Sequence, residues 1–211
     1  MMEECVLNGI IRNEEEKDYF EVETVTREAF WNVYRPGCNE HLVTHNFRSN
    51  PAFVKELDYV IEQDCEIVGT IIYTLGDLTL DTGQRERFLT FGPIAIRPDK
   101  QGRGLGGELI RFTLQKARNM GFKAVFITGN PDYYRRFGFE SACKYSIYLD
   151  ENRDANEATF FMVNVLEEGA LDGKAGIFQF DKCFSPSDEE LEEFEKLFPP
   201  KVKEKRPGQI F

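Results

Sequence analysis

Gln101, Gly102, Arg103, Gly104, Leu105, Gly106 and Gly107 follow an apolar run, Ile94-Ala95-Ile96, and a polar turn, Arg97-Pro98-Asp99-Lys100. Four glycines within six residues, at the entrance to an amphipathic stretch, leave main-chain N–H groups uncovered where a helix dipole is positive. Such a turn binds anionic oxygens, and this one is long enough for a pyrophosphate. The surrounding charge agrees. From Arg97 to Lys123 there are seven basic residues (Arg97, Lys100, Arg103, Arg111, Lys116, Arg118, Lys123) against Asp99 and Glu108, a local excess of +5 in a chain whose net charge is −11. A polyphosphate ligand calls for such a positive island.

The elements that must hold this turn are readable from periodicity. A strand from about Arg87 to Ile96 leads into it, and Leu105, Leu109, Phe112, Ala117 and Met120 recur at helical spacing after it, with Gly121 as C-cap. Lys123 to Thr128 then reads as a buried strand, so strand, helix and strand form one crossover with parallel neighbours. Upstream, Val6–Ile11 suits a first strand, and Val22, Val25, Ala29 and Phe30 mark a helix. Residues 41–49 suit a second, short helix. Residues 57–95 read as three antiparallel strands, with turn signals at Gly76-Asp77 and Asp81-Thr82-Gly83. Pro131–Phe137 forms a brief helix. Tyr145–Leu149 and Thr159–Leu166 supply two more strands around the polar loop Asp150–Ala158. From Glu167 the composition changes: an apolar stretch Ile177–Phe184, then a helix starting near Ser185–Asp188 with the stripe Leu191, Phe194, Leu197 and Phe198. Pro199-Pro200 ends it. Residues 1–166 are thus expected to form the main domain. Residues 167–211 are an extension packed on the core or on a second copy, as in a homodimer, with a frayed tail from Lys201.

Three phosphate-binding patterns compete for the turn. A Walker loop needs Lys-Ser/Thr after its last glycine, and Gly106-Gly107 is followed by Glu108. The dinucleotide fingerprint is matched literally by Gly102, Gly104 and Gly107. However, five residues separate it from the strand, and Phe122–Asn130 contains no acid for a ribose. What remains is Gln101-x-x-Gly104-x-Gly106, and a second motif, Tyr134-Arg135-Arg136-Phe137-Gly138-Phe139, lies downstream of it. Together the two resemble the GNAT superfamily of acetyl-CoA-dependent N-acetyltransferases. The run Asn130-Pro131-Asp132-Tyr133-Tyr134 looks most like a branch of poorly characterised bacterial members.

The resemblance implies an α+β fold: a mixed, mostly antiparallel sheet of about seven strands flanked by helices, with the fourth and fifth strands splayed. Acetyl-CoA is the implied cosubstrate. Its pantetheine would pair with the backbone of Ile94, Ala95 and Ile96 as an added strand. Its pyrophosphate would rest on Gln101–Gly107, with Arg103 and Lys100 near the phosphates and Asn130 at a position that often touches the cofactor. Only three residues separate Asn130 from Tyr134, fewer than the family usually shows. The implied reaction is direct attack of a primary amine, of a small molecule or peptide, on the thioester. Tyr134 matches the general acid that serves the departing thiolate, since a phenol is protonated at pH 7. No motif singles out a general base among Glu28, Glu40, His41, His45 and Glu86. A non-catalytic acyl-CoA binder is the alternative that keeps the cradle without the chemistry.

Composition narrows the rest. At 211 residues the chain fills one well-packed core. It has no apolar run that could span a bilayer and no leader of signal-peptide type, so it reads as cytoplasmic. Cys5, Cys38, Cys65, Cys143 and Cys183 are odd in number, scattered, and without a C-x-x-C pair, against both a disulfide framework and a metal site. The acidity disfavours nucleic acid and anionic membrane as partners and favours a cationic amine as acceptor.

Overall fold

The computed structural model describes residues 4–6, 9–149 and 159–209; the polar loop expected at 150–158 lies outside them. By internal packing the chain falls into two compact units, one of residues 1–72, 93–109 and 182–211, the other of residues 73–92 and 110–181. This division does not follow chain order. Residues 182–211 belong with the first unit and 167–181 with the second.

In the first unit, β1 (Glu4–Val6), β2 (Gly9–Asn13), β3 (Tyr59–Gln63) and the start of β4 (Glu66–Leu80) pair antiparallel in that order. The single strand expected at Val6–Ile11 is thus two. At Gly9 (φ +151°) an added Cβ would stand 2.5 Å from the Glu62 carbonyl oxygen of β3, so only a residue without a side chain fits where β2 starts. Helices α1 (Tyr19–Phe30) and α2 (Glu40–Phe47) pack on one another. Val22 and Val25 of α1 bury against Val60, Ile67 and Ala95, which turns the helical periodicity into a core face.

The second unit holds the rest of β4 and most of β5 (Arg85–Ile96), joined by a turn in which Leu80 N–H donates to Gln84 O. The turn expected at Gly76-Asp77 is absent, because β4 runs straight through it. Residues 77–80 pair antiparallel with β10 (Gly176–Gln179), and the Phe178 ring fills the space where a Gly76 side chain would sit, Cε1 lying 2.8 Å from that point. β6 (Ala124–Thr128) pairs parallel with β5 and antiparallel with β9 (Phe161–Val165), which pairs in turn with β7 (Glu140–Ser141); β8 (Ile147–Tyr148) runs parallel to β10. Phe126, Phe161 and Phe178 stack at its centre.

The parallel pair opens partway along its length. The β5–β6 ladder contains only Leu89↔Val125 and Thr90↔Phe126, whereas Ile127 and Thr128 keep their partners in β9. The parallel strands, fourth and fifth when β1 and β2 are counted as one, therefore part after Thr90. β5 continues through Gly92 (φ +143°) and Pro93, a residue with no N–H for a ladder.

The tail does not fray as far as Gln209. After α5 (Asp188–Glu195) it runs back along α1, where Trp31 Nε1 (2.9 Å) and Asn32 Nδ2 (3.1 Å) donate to Val202 O. Glu204 N–H donates to Asn32 Oδ1 and Gln209 Nε2 to Asn32 O, both at 3.0 Å. Arg27, buried, makes a two-point pair with Glu195 at 3.0 and 2.8 Å. Leu191, Phe194 and Phe198 bury against Leu42, but Leu197 is exposed, because α5 ends at Glu195 and the stripe no longer holds helical phase.

Candidate functional site

In the first unit, β5 ends at Ile96 and a short 3-10 turn, Pro98–Lys100, redirects the chain. Arg97 fixes this corner: its N–H donates to Val68 O, and its guanidinium holds Asp99 (2.7 Å) and Glu66 (2.7 Å). Hydrogen bonding to Arg97 keeps the Asp99 carboxyl below its usual range. Gln101 Nε2 donates to Ile96 O at 3.0 Å, and Arg103 Nη2 donates to Asp99 O at 3.1 Å. The charge of Arg97 is therefore engaged within the turn, and the positive island is smaller than a count of residues implies.

Gly102 (φ +75°) and Gly104 (φ +88°) are exposed, and a Cβ built on either meets nothing within 4 Å. Both the backbone conformation and the empty volume therefore belong to glycine. Helix α3 (Leu105–Asn119) closes its first backbone bond with Glu108 N–H to Gly104 O, so the N–H groups of Leu105, Gly106 and Gly107 lie ahead of the ladder. Buried Leu105 and Leu109 anchor that first turn, and Gly106 and Gly107 are themselves buried. Ala95 points into the core, while Ile94 and Ile96 are half-buried. The expected cradle segments Ile94–Ile96 and Gln101–Gly107 are linked across the intervening turn by the Gln101–Ile96 hydrogen bond.

Asn130 and Tyr134 lie in the second unit. Asn130 caps α4 (Pro131–Tyr134), its Oδ1 accepting from Asp132 N–H at 2.9 Å, with Pro131 in the first turn. Its side-chain oxygen is thus engaged in the cap. Tyr134 is half-buried in an aromatic nest: its ring centroid is 5.0 Å from Tyr133, 5.8 Å from Phe139 and 6.0 Å from Phe91. Phe91 also contacts Tyr73, whose buried hydroxyl lies 2.9 Å from Thr113 Oγ1 and whose phenol burial pushes well above its ordinary pKa. Gly138 (φ +85°) ends the segment, and Asn164 Nδ2 secures it by donating to Phe137 O at 2.7 Å.

The five acid–base candidates have distinct fates. Glu28 pairs with Lys201, Glu86 with Lys174, and His45 Nδ1 lies 2.9 Å from Glu23 Oε1. Glu40 accepts from Asn39 N–H, and burial raises its pKa. His41 is fully buried between Phe194 and Phe198, with Nδ1 3.5 Å from Cys38 Sγ. Its Nε2 lies 2.8 Å from Glu195 Oε1 without the alignment of a hydrogen bond. Burial outweighs the attraction of Glu195 and lowers its pKa to about 4, so the ring is neutral, and closed off from any acceptor. Sequence reasoning missed the buried Glu14, Asp58, Glu23 and Arg48 group, in which Arg48 Nε donates to Glu14 Oε2 at 2.9 Å. Desolvation, with Glu14 beside it, raises the Asp58 pKa well above normal. Nothing local in the sequence joins residues this far apart. Among the described residues no group of three or more His, Cys, Asp or Glu is arranged for a metal, and no helix is long and apolar enough to cross a membrane.

The sequence model of the Acetyltransferase (GNAT) family matches residues 14–139. The uncharacterized N-acetyltransferase YhbS of Escherichia coli K12 is 25% identical over 124 residues, 59% of this chain and 71% of that protein. YjhQ of the same organism, also an uncharacterized N-acetyltransferase, is 48% identical over 48 residues, 23% of this chain and 26% of that one. The crystal structure of E. coli YhbS in complex with CoA superposes with a TM-score of 0.73 at 22% identity, covering 87% of this chain and 95% of that one. A GNAT family acetyltransferase from Brucella melitensis, in complex with acetyl-CoA, gives 0.67 at 26%, covering 83% and 97%. The shared fold is the mixed, splayed sheet flanked by helices.

Proposed function

Because the chain belongs to the GNAT family of acetyltransferases, we propose that it is a cytoplasmic N-acetyltransferase that moves an acetyl group from acetyl-CoA to a primary amine in a ternary complex. The observation that carries this reading is the pair Gly102 and Gly104, exposed, left-handed, and with open space where side chains would stand. In this reading residues 1–166 form the acetyltransferase domain and 167–211 its extension.

The cradle binds by main chain. The pyrophosphate takes N–H groups from Gly102 to Gly107, Arg103 and Lys100 lie by the phosphates, and Gln101 supports the corner. The pantetheine amides pair with the backbone of Ile94, Ala95 and Ile96, the stretch of β5 beyond its ladder with β6. Asn130 contributes through its amide NH2. The amine nitrogen bonds to the thioester carbon and loses its proton to solvent. The C–S bond then breaks, and the thiolate takes a proton from the Tyr134 hydroxyl, which recovers one from water. The chain's acidic surface favours a cationic acceptor.

Thiol release from acetyl-CoA, measured over a panel of polyamines, amino acids, aminoglycosides and peptide N-termini, tests the reading. Amine-dependent release of CoA is expected for at least one class. Tight acetyl-CoA binding with no turnover on any amine would leave an acyl-CoA binder instead, and preference for NAD over acetyl-CoA would remove the cradle assignment altogether.

A further inference from the structure

We infer that Gly129 is a positioning residue for Tyr134, the missing side chain at 129 being the space that the phenol ring occupies. The inference rests on the proposed role of Tyr134. Gly129 adjoins the last residue of β6, and its N–H donates to Phe160 O at 2.9 Å, so its backbone is held by the segment that enters β9. A Cβ built there falls against the Tyr134 ring: Cδ2 stands 2.9 Å away, Cε2 closer still, and Cζ 3.4 Å. Its φ lies outside the left-handed region, so alanine suits the backbone and conflicts with the ring alone.

Gly138, nine residues on, makes the contrast. There φ is +85°, and glycine is required by the backbone whatever lies nearby. At 129 the requirement is volume. The ring has little freedom to yield, because Phe91, Phe139 and Tyr133 close three of its sides and the Asn130 cap fixes the start of α4. A methyl group at 129 therefore cannot be absorbed as the ring stands: it displaces the ring together with its nest and carries the hydroxyl away from its place. Displacing a reacting group by about 1 Å costs on the order of 100-fold in rate. Residues 94–107 lie outside this segment and the Asn130 side chain stays tied to Asp132 N–H, so cofactor affinity should hold.

The test compares Gly129→Ala, Tyr134→Phe and the double variant with the parent, using acetyl-CoA and the best amine of the panel. Gly129→Ala is expected to lower kcat between about 10- and 100-fold with the acetyl-CoA KM within about 3-fold, and to add nothing further in the Tyr134→Phe background. Spectra of protein carrying ring-labelled tyrosine give a readout free of turnover: the Tyr134 signal, identified by its loss in Tyr134→Phe, should shift. Gly129→Ala is also expected to lower Tm, and to lower it less in the Tyr134→Ala background, where the ring is gone. Parental kcat in Gly129→Ala beside a slow Tyr134→Phe overturns the inference and spares the acid role. So does an unmoved Tyr134 signal, a loss that adds to that of Tyr134→Phe, or a Tm loss from Gly129→Ala that is as large in the Tyr134→Ala background as in the parent. Parental turnover in Tyr134→Phe, or no turnover with any amine, overturns the acid role and this inference with it, even where the ring signal moves.

Discussion

The turn at 101–107 and the segments around Gly76 and Gly129 all depend on glycine, for opposite reasons. At Gly102 and Gly104 the missing side chain leaves open volume at a left-handed backbone. At Gly76 and Gly129 the volume is already taken, by Phe178 in one case and Tyr134 in the other, and the backbone makes no special demand. The first kind of glycine leaves space that the chain itself does not fill, while the second makes room for the chain's own rings. A substitution should therefore strike ligand affinity at the first kind and packing at the second.

The largest expected effect lies in the open turn. Gly104→Val places a branched side chain where the diphosphate would lie, and the acetyl-CoA KM should rise by more than about 100-fold, a loss of roughly 2.7 kcal/mol; an unchanged KM in steady-state assays breaks the contrast at its root. Tyr134→Phe is expected to lower kcat on the order of 100-fold and leave KM nearly unaltered, because in the proposed reaction the group acts on the leaving thiolate. Gly76→Ala should cost about 1–3 kcal/mol of stability through overpacking against Phe178, with no change in KM, as read from urea unfolding beside the assay. Gly83 sharpens the contrast further. It shares a positive φ (+85°) and open surroundings with Gly104, but sits in the β4–β5 turn. Gly83→Ala should therefore show only the left-handed strain, about 1 kcal/mol, and normal kinetics.

The smallest effect sets the conditions for the others. His41 titrates near 4 in the folded state and near 6.5 unfolded, so protons bind the unfolded chain first as pH falls. Stability is fully present above about pH 6.5 and declines toward pH 4. At pH 6 the loss is just under about 1 kcal/mol. Tm measured against pH should fall over this window in the parent and flatten in His41→Gln.

What the sequence disclosed and what it hid divide along range of interaction. The crossover of β5, α3 and β6 was legible because its signals are local: a strand, glycines with a cap's spacing, a 3.6-residue period. Gly121 ends α3 as expected, with Gly121 N–H to Arg118 O and Phe122 N–H to Ala117 O completing a Schellman motif. The helix start at Ser187 was legible for the same reason, its hydroxyl and Glu190 capping one another. Gly76-Asp77 was misread because a glycine that accommodates a distant ring looks, locally, like a glycine that turns the chain. The tail was misread because its proline and lysine content speaks of exposure, while its partners, Trp31 and Asn32, lie some 170 residues earlier. In the candidate site, the open left-handed turn at Gly102 and Gly104 was legible because glycine spacing is a local signal. The nest around Tyr134 depends on Phe91 and Phe139 converging from separate strands and turns, which spacing alone cannot express.

Asn32 carries a consequence for genetics. Its one side chain holds Gly37, Val202 and Glu204, and its carbonyl receives Gln209. A missense lesion at this codon would remove the side-chain holds on Gly37, Val202 and Glu204 at once, leaving the tail to Trp31 Nε1 on Val202 O, the Lys201–Glu28 pair and the bond from Gln209 to the main chain, and so would loosen it less than a nonsense lesion that removes it.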